Sequence, residues 1–330
     1  MPTRRSVWTT LTALVLIGTP VWAARASSAT AVGAPEPRYH LQSPFWVNLH
    51  QTLLRASQST EVSNPGVDDG ERGTWDRCVA AYRARFGEHS PVFDPELIAV
   101  NDALSRAASD AAPPESIGPV REVLAQAADV YRRRQWAQDL AADRFWIAVV
   151  GAMLDQAGEE LVRAHEAVYG ARYPAHVTID VAPYGGEFGA YTTTRGGFVH
   201  TTVSTRDPAY QGYWGLEMML HESSHAVVGD ADGAIGPEIT AAARTLDRRA
   251  PPALWHAVLF YTSGELTRRA LAARGIDYHP FILEMYKRTY HGFQEPLETY
   301  WQAYLDGKLA REQAIRQLVE ATTRPGSLEH

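Results

Sequence analysis

Residues 221–225 read His221-Glu222-Ser223-Ser224-His225, a spacing that can bind a metal and activate water. On an α-helix, positions four apart differ by about 40° in direction and one turn in height, so His221 and His225 point the same way and can share a cation. Glu222 lies about 100° round the helix, within reach of water on that cation without ligating it. Zinc suits two imidazoles, one carboxylate and an open position. Zinc lowers the pKa of water to about 7, and a carboxylate can then take the proton. The flanking Leu216, Met218, Met219, Leu220, Ala226, Val227 and Val228 predict a helix buried on most sides. Three polar groups on such a helix require a metal or paired partners; the plainer alternative is a polar face of satisfied histidines.

A third ligand must come from elsewhere. The helix expected to follow Pro252 offers His256 and Glu265, which are nine positions apart and so cannot serve one ion together. Glu265 extends the apolar stripe Leu254, Val258, Tyr261, where a carboxylate is costly unless it meets a cation. That makes Glu265 the expected third ligand; an ion pair with Arg268 or Arg269 is the plainer alternative. His256 lies near Leu259 and Phe260, a setting typical of core or capping histidines. Glu238 is a further option, and Glu238, Asp230 or Asp232 could orient a ligand histidine. Tyr261 and His291 are candidate oxyanion donors, and His200 suits a sheet surface.

The elements that must position these groups fall into three stretches. Helical spacing runs through Tyr39 to Ser57, Trp75 to Phe86, Pro95 to Ala108, Pro119 to Tyr131 and Trp136 to Tyr169, with a Gly- and Asp-rich loop from Asn64 to Gly73. Strands are then expected at Val177 to Val181, Ala190 to Thr194 and Phe198 to Ser204, the last two joined by a turn at Arg195-Gly196-Gly197. Helices resume over Gly215 to Val228, Pro237 to Arg248, Pro252 to Arg274, Pro280 to Tyr290, Glu295 to Asp306 and Arg311 to Thr322. The predicted class is α+β, mostly helical, with a short mixed sheet over the motif helix.

From Val177 to Arg274 this layout resembles the zincin metallopeptidases. The resemblance implies a sheet above the motif helix whose edge strand, here Ala190 to Thr194, pairs with extended peptide. Phe198 to Ser204 would then lie inside the sheet. The metzincin pattern needs a ligand six residues after the second histidine, where this chain has Ala231; Asp230 and Asp232 fall either side. The segment Tyr261-Thr262-Ser263-Gly264-Glu265-Leu266 looks like the glutamate-bearing helix of gluzincins, at a longer spacing than their best-known members. The resemblance implies a Zn2+-dependent hydrolase cleaving peptide or protein substrates, with Glu222 as general base. A zinc-binding or interaction protein on the same scaffold, without turnover, is the alternative.

The remaining sequence sets the context. The 330 residues carry a formal net charge of -7 and no long basic run, which argues against nucleic acid. The single Cys78 excludes an internal disulfide and any cysteine-based metal site. Arg4 and Arg5, the mostly apolar Val7 to Trp22, and Ala24-Arg25-Ala26 predict a signal peptide over residues 1–26, hence export to the periplasm or beyond with no lasting membrane insertion. The expected organisation continues with a flexible lead-in (27–37), an N-terminal helical region (38–170), the metal-binding catalytic region (171–325) and a tag remnant (326–330).

Overall fold

Local sequence signals explain where the first elements begin. The computed structural model describes residues 37–59 and 68–323. Strand β1 (Tyr39–Gln42) precedes helix α1 (Phe45–Gln58). The Asp68 carboxylate accepts the Gly70 and Glu71 N–H groups and starts α2 (Asp69–Phe86). Asp94 does the same for α3 (Pro95–Ser105), with Pro95 in the first turn where its missing N–H costs nothing. Helices α4 (Val120–Arg134) and α5 (Trp136–Tyr169) follow. Strands β2 (Val177–Ala182), β3 (Ala190–Arg195) and β4 (Phe198–Ser204) come next. The chain then forms α6 (Gly212–Ser224), α7 (Gly236–Thr245), α8 (Leu254–Ala272), α9 (Ile282–Arg288), α10 (Gln294–Pro296), a π-helical turn (Leu297–Trp301), α11 (Gln302–Leu305) and α12 (Arg311–Thr322).

The result is a mostly helical α+β structure around a four-stranded mixed sheet of order β1-β2-β4-β3. β1 and β4 each run parallel to β2, and β3 lies antiparallel to β4 at the edge. Gly196 and Gly197 both take positive φ, 56° and 80°, as a two-residue hairpin turn matched to strand twist requires. Side chains alternate across the pleat. Thr192 and its cross-strand partner Thr201 share a hydrogen bond of 2.8 Å, and Thr192 reaches α6. On the opposite face Tyr191 Oη accepts Gln51 Nε2 of α1, and Thr202 Oγ1 accepts Asn101 Nδ2 of α3. The sheet is therefore clamped between the motif helix and the N-terminal helices.

Several expectations need correction. Residues 39–42 form a strand and not the start of a helix, because they complete the sheet beside β2. Asp69 to Gly73 belong to α2 once Asp68 caps it. The motif helix ends at Ser224 and not at Val228. Ser223 and Ser224 turn their hydroxyls back onto the Met219 and Leu220 carbonyls, and the chain leaves in a turn, with Val228 N–H on the Ser224 carbonyl. The expected helix from Glu295 to Asp306 is broken by a π turn after Pro296, which cannot donate a helical N–H and lets Leu297 and Trp301 both reach the core.

Two hydrophobic cores lie within one compact unit beginning at Pro37. The first gathers Phe45, Trp46, Leu49, Trp75, Tyr82, Leu97, Leu124 and Tyr131 from α1 to α4. The second gathers the sheet, α5 from Trp146 onward and the C-terminal helices, and it also takes Tyr39. The two cores meet at the first turns of α5. Cys78 is buried in the first core. No helix of the described residues is long and apolar enough to cross a membrane. The expected signal peptide and tag remnant lie outside the described residues.

Candidate metal centre

Helix α6 supplies His221 and Glu222, and His225 caps its C-terminus in helical geometry (φ -59°, ψ -22°), so the one-turn spacing survives although the helix stops. Helix α8 crosses α6 closely at Gly264, where an added Cβ would lie 2.8 Å from Pro280 Cβ and 3.2 Å from Glu217 Oε1. This packing brings the first turn of α8 against the motif. Ligand atoms of His221, His225 and His256 all lie within 4.8 Å of one another. His256 Nε2 stands 3.2 Å from His221 Nε2.

These three imidazoles could hold a metal ion. Tetrahedral zinc–imidazole bonds of about 2.0–2.1 Å place ligand nitrogens roughly 3.3 Å apart, close to the His221–His256 separation. Metal binding needs neutral imidazoles. Burial pushes the His221 pKa well below its usual value, helped by His225 and His256. It also lowers His225 to about 4 and, with help from His225, His256 to about 3. Aromatic rings enclose the cluster: Trp255 stacks on His256 at 4.9 Å, and Phe260 covers His221 at 3.8 Å.

Glu222 turns toward the edge strand. Its Oε2 accepts the Thr192 hydroxyl at 2.8 Å, and burial raises its pKa to about 7 against the stabilising effect of that bond. Glu222 is thus a buried carboxyl group, next in sequence to His221, with one oxygen engaged by the edge strand.

The structure does not bring Glu265 to this cluster. Its carboxylate is occupied by Arg268, through Nε at 2.7 Å and Nη2 at 2.8 Å, and by Arg269 Nε at 2.7 Å. Gln302 adds a contact at 3.3 Å. Burial alone would raise the Glu265 pKa, but the two guanidinium groups outweigh it and lower the pKa. The cation that meets this carboxylate is thus arginine at i+3 and i+4. Tyr261 joins the same network, donating to Gln302 Oε1 at 2.7 Å. Glu238 pairs with Arg311 at 2.5 Å, Asp230 and Asp232 are exposed, and so is His291. His200 is buried between two carboxylates on the far face of the sheet.

Sequence reasoning ranked His256 below Glu265 and did not single out Thr192 or Tyr290. The signal for His256 was its company: Trp255 and Phe260 supply the rings that enclose the cluster. The two candidates separate by experiment. Glu265→Gln is expected to keep zinc while losing about 1–3 kcal/mol of stability in denaturant unfolding. His256→Ala is expected to lose zinc in elemental analysis. The opposite pattern would return the ligand role to Glu265.

No protein-family model, curated protein or solved structure matches this chain.

Proposed function

We propose that this chain is an exported zinc-dependent hydrolase with a zincin-like layout, acting on peptide bonds. The observation that carries the proposal is the convergence of His221, His225 and His256 where α8 packs on α6, with Glu222 next in sequence to His221 and held by Thr192 of the edge strand. His221, His225 and His256 would hold the ion. When bound, zinc supplies a Lewis acid that polarises a carbonyl and acidifies water. Glu222 would take the proton from the attacking water and return it to the leaving amine. Thr192 keeps one carboxylate oxygen fixed and leaves the other free to handle that proton.

β3 supports the choice of substrate. Among the described residues it pairs only with β4, so its outer edge can accept an extended chain by main-chain hydrogen bonding. Thr192, on this strand, touches Glu222, so a peptide laid along the edge would pass close to the general base. A set of three imidazoles differs from the two imidazoles and one glutamate of gluzincins, and likeness to zincins therefore rests on layout. Export rests on the residue 1–26 pattern.

Protein purified without added metal is expected to contain close to one zinc per chain and to cleave a mixed peptide library. A chelator should abolish cleavage and zinc should restore it. A His221→Ala/His225→Ala variant with wild-type zinc content would remove the metal centre, and cleavage indifferent to chelation would remove the mechanism.

A further inference from the structure

We infer that Tyr290 is a positioning residue that fixes the tautomer and ring orientation of His256, making the segment from Tyr278 to Tyr290 part of the metal site. The inference rests on the zinc-site reading above. Tyr290 Oη lies 3.0 Å from His256 Nδ1, while Nε2 of the same ring faces His221 Nε2. A histidine that ligates through Nε2 carries its proton on Nδ1, and the partner of that proton sets the plane of the ring. Here the partner is a phenol oxygen. It accepts the Nδ1–H hydrogen bond, keeps its own hydrogen to donate elsewhere, and leaves the imidazole neutral. His221 Nδ1, by contrast, is buried without a partner. Of these two facing rings, His256 is therefore the one aligned by a hydrogen bond at its second nitrogen.

Tyr290 is itself held in place. It is buried, stacks on Phe293 at 6.1 Å and meets the His256 ring edge-on. The segment leading to it is pinned to α6, the helix that carries His221. Glu217, one turn before His221, accepts the Tyr278 hydroxyl and, at 3.1 Å, the Phe281 N–H. Trp214 Nε1 donates to the His279 carbonyl at 2.8 Å. Helix α6 thus supplies one ligand directly and anchors the support of another.

The test compares Tyr290→Phe, Tyr286→Phe and His256→Ala. Tyr286 lies on the same segment, and its buried hydroxyl has no partner, so its loss should leave the site alone. Zinc affinity is measured by chelator competition on metal-free protein, together with the visible spectrum of the cobalt-substituted form and the melting temperature without metal. Tyr290→Phe keeps the ring and its packing. It is expected to weaken zinc binding about 10–100-fold, the usual scale for losing such a support. It should also shift the cobalt bands and leave the metal-free melting temperature unchanged. Tyr286→Phe is expected to match wild type in affinity and spectrum. Wild-type affinity and spectrum in Tyr290→Phe would overturn the inference, as would a lower melting temperature with unchanged affinity. If His256→Ala loses zinc while Tyr290→Phe does not, only the role of Tyr290 fails. If His256→Ala retains wild-type affinity, His256 is not a ligand and both readings fall.

Discussion

Replacing Glu222 with glutamine should lower turnover about 10²–10⁴-fold, the range for a lost acid–base group, while fold and zinc content stay intact. The side chains are nearly isosteric, and an amide oxygen can still accept the Thr192 hydroxyl that now reaches Oε2. The site loses only the capacity to take a proton. Glu222 is buried and costs desolvation when charged, so the neutral amide should not lower the melting temperature. A Glu222 that merely braced the sheet would behave otherwise: its loss would show in the melt and leave turnover alone. Melting temperature, zinc content and turnover measured on one preparation separate the two roles. Full turnover in a zinc-loaded Glu222→Gln protein would remove the hydrolase mechanism.

On the other face of the sheet, His200→Gln should destabilise the protein by about 3–5 kcal/mol, because it strips the counter-charge from buried carboxylates. His200 Nε2 is 2.8 Å from Asp180 and Nδ1 is 3.1 Å from Asp102. Gln42 also donates to Asp180, at 2.8 Å. Burial would lower the His200 pKa, but the two aspartates outweigh it and raise it to about 9. The folded state then holds a proton that the unfolded chain releases near 6.5. The stabilisation is fully present below about pH 6.5 and is lost as pH rises through about 9. Glu217 and Asp143, both raised to about 7 by burial, act in a lower window. Between their unfolded values and about 7 the folded state binds more protons, so their contribution declines before the His200 window is reached. Melts from pH 6 to 9, below the range in which the buried tyrosines with raised pKa contribute, should therefore show an alkaline decline in wild type that is much smaller in His200→Gln. An identical alkaline limb in both proteins would show that His200 does not carry the charge.

What the sequence made legible was local. Alternating β-branched residues marked β2 and β4, and paired glycines marked the turn between β3 and β4. The 34-residue span of α5 was legible as well, but not its buried face: Phe145 is exposed, whereas Trp146, Val150 and Leu154 are buried. The motif itself could be read because its geometry is set by one helix. What stayed hidden depended on how distant pieces pack. His256 and Glu265 were equally available on one helix, and only the crossing of α8 over α6 at Gly264 decides which approaches the motif. The pairing of Glu265 with Arg268 and Arg269 is local, and it could have been weighted more heavily. Strand β1 was invisible because four residues beside a helical pattern carry almost no periodic signal. The buried ionic cluster was hidden as well, since Asp102, Asp180 and His200 come from three separate elements.

The parallel pairing of β1 with β2 also sets an order of assembly. Gln42 and Asp180 meet across 138 residues of chain, and β4 must be in place before the sheet is whole. Helices α1 to α4 can condense early on short-range contacts, whereas closing so long a loop comes late and slowly. During synthesis, a chain with its first 170 residues free holds the N-terminal helical core but only one strand of the sheet that will cover it. Until β2 has joined, that half carries an unpaired strand, and until β4 has joined, Asp102 lacks His200; over that interval it remains open to chaperones, proteases and mispairing.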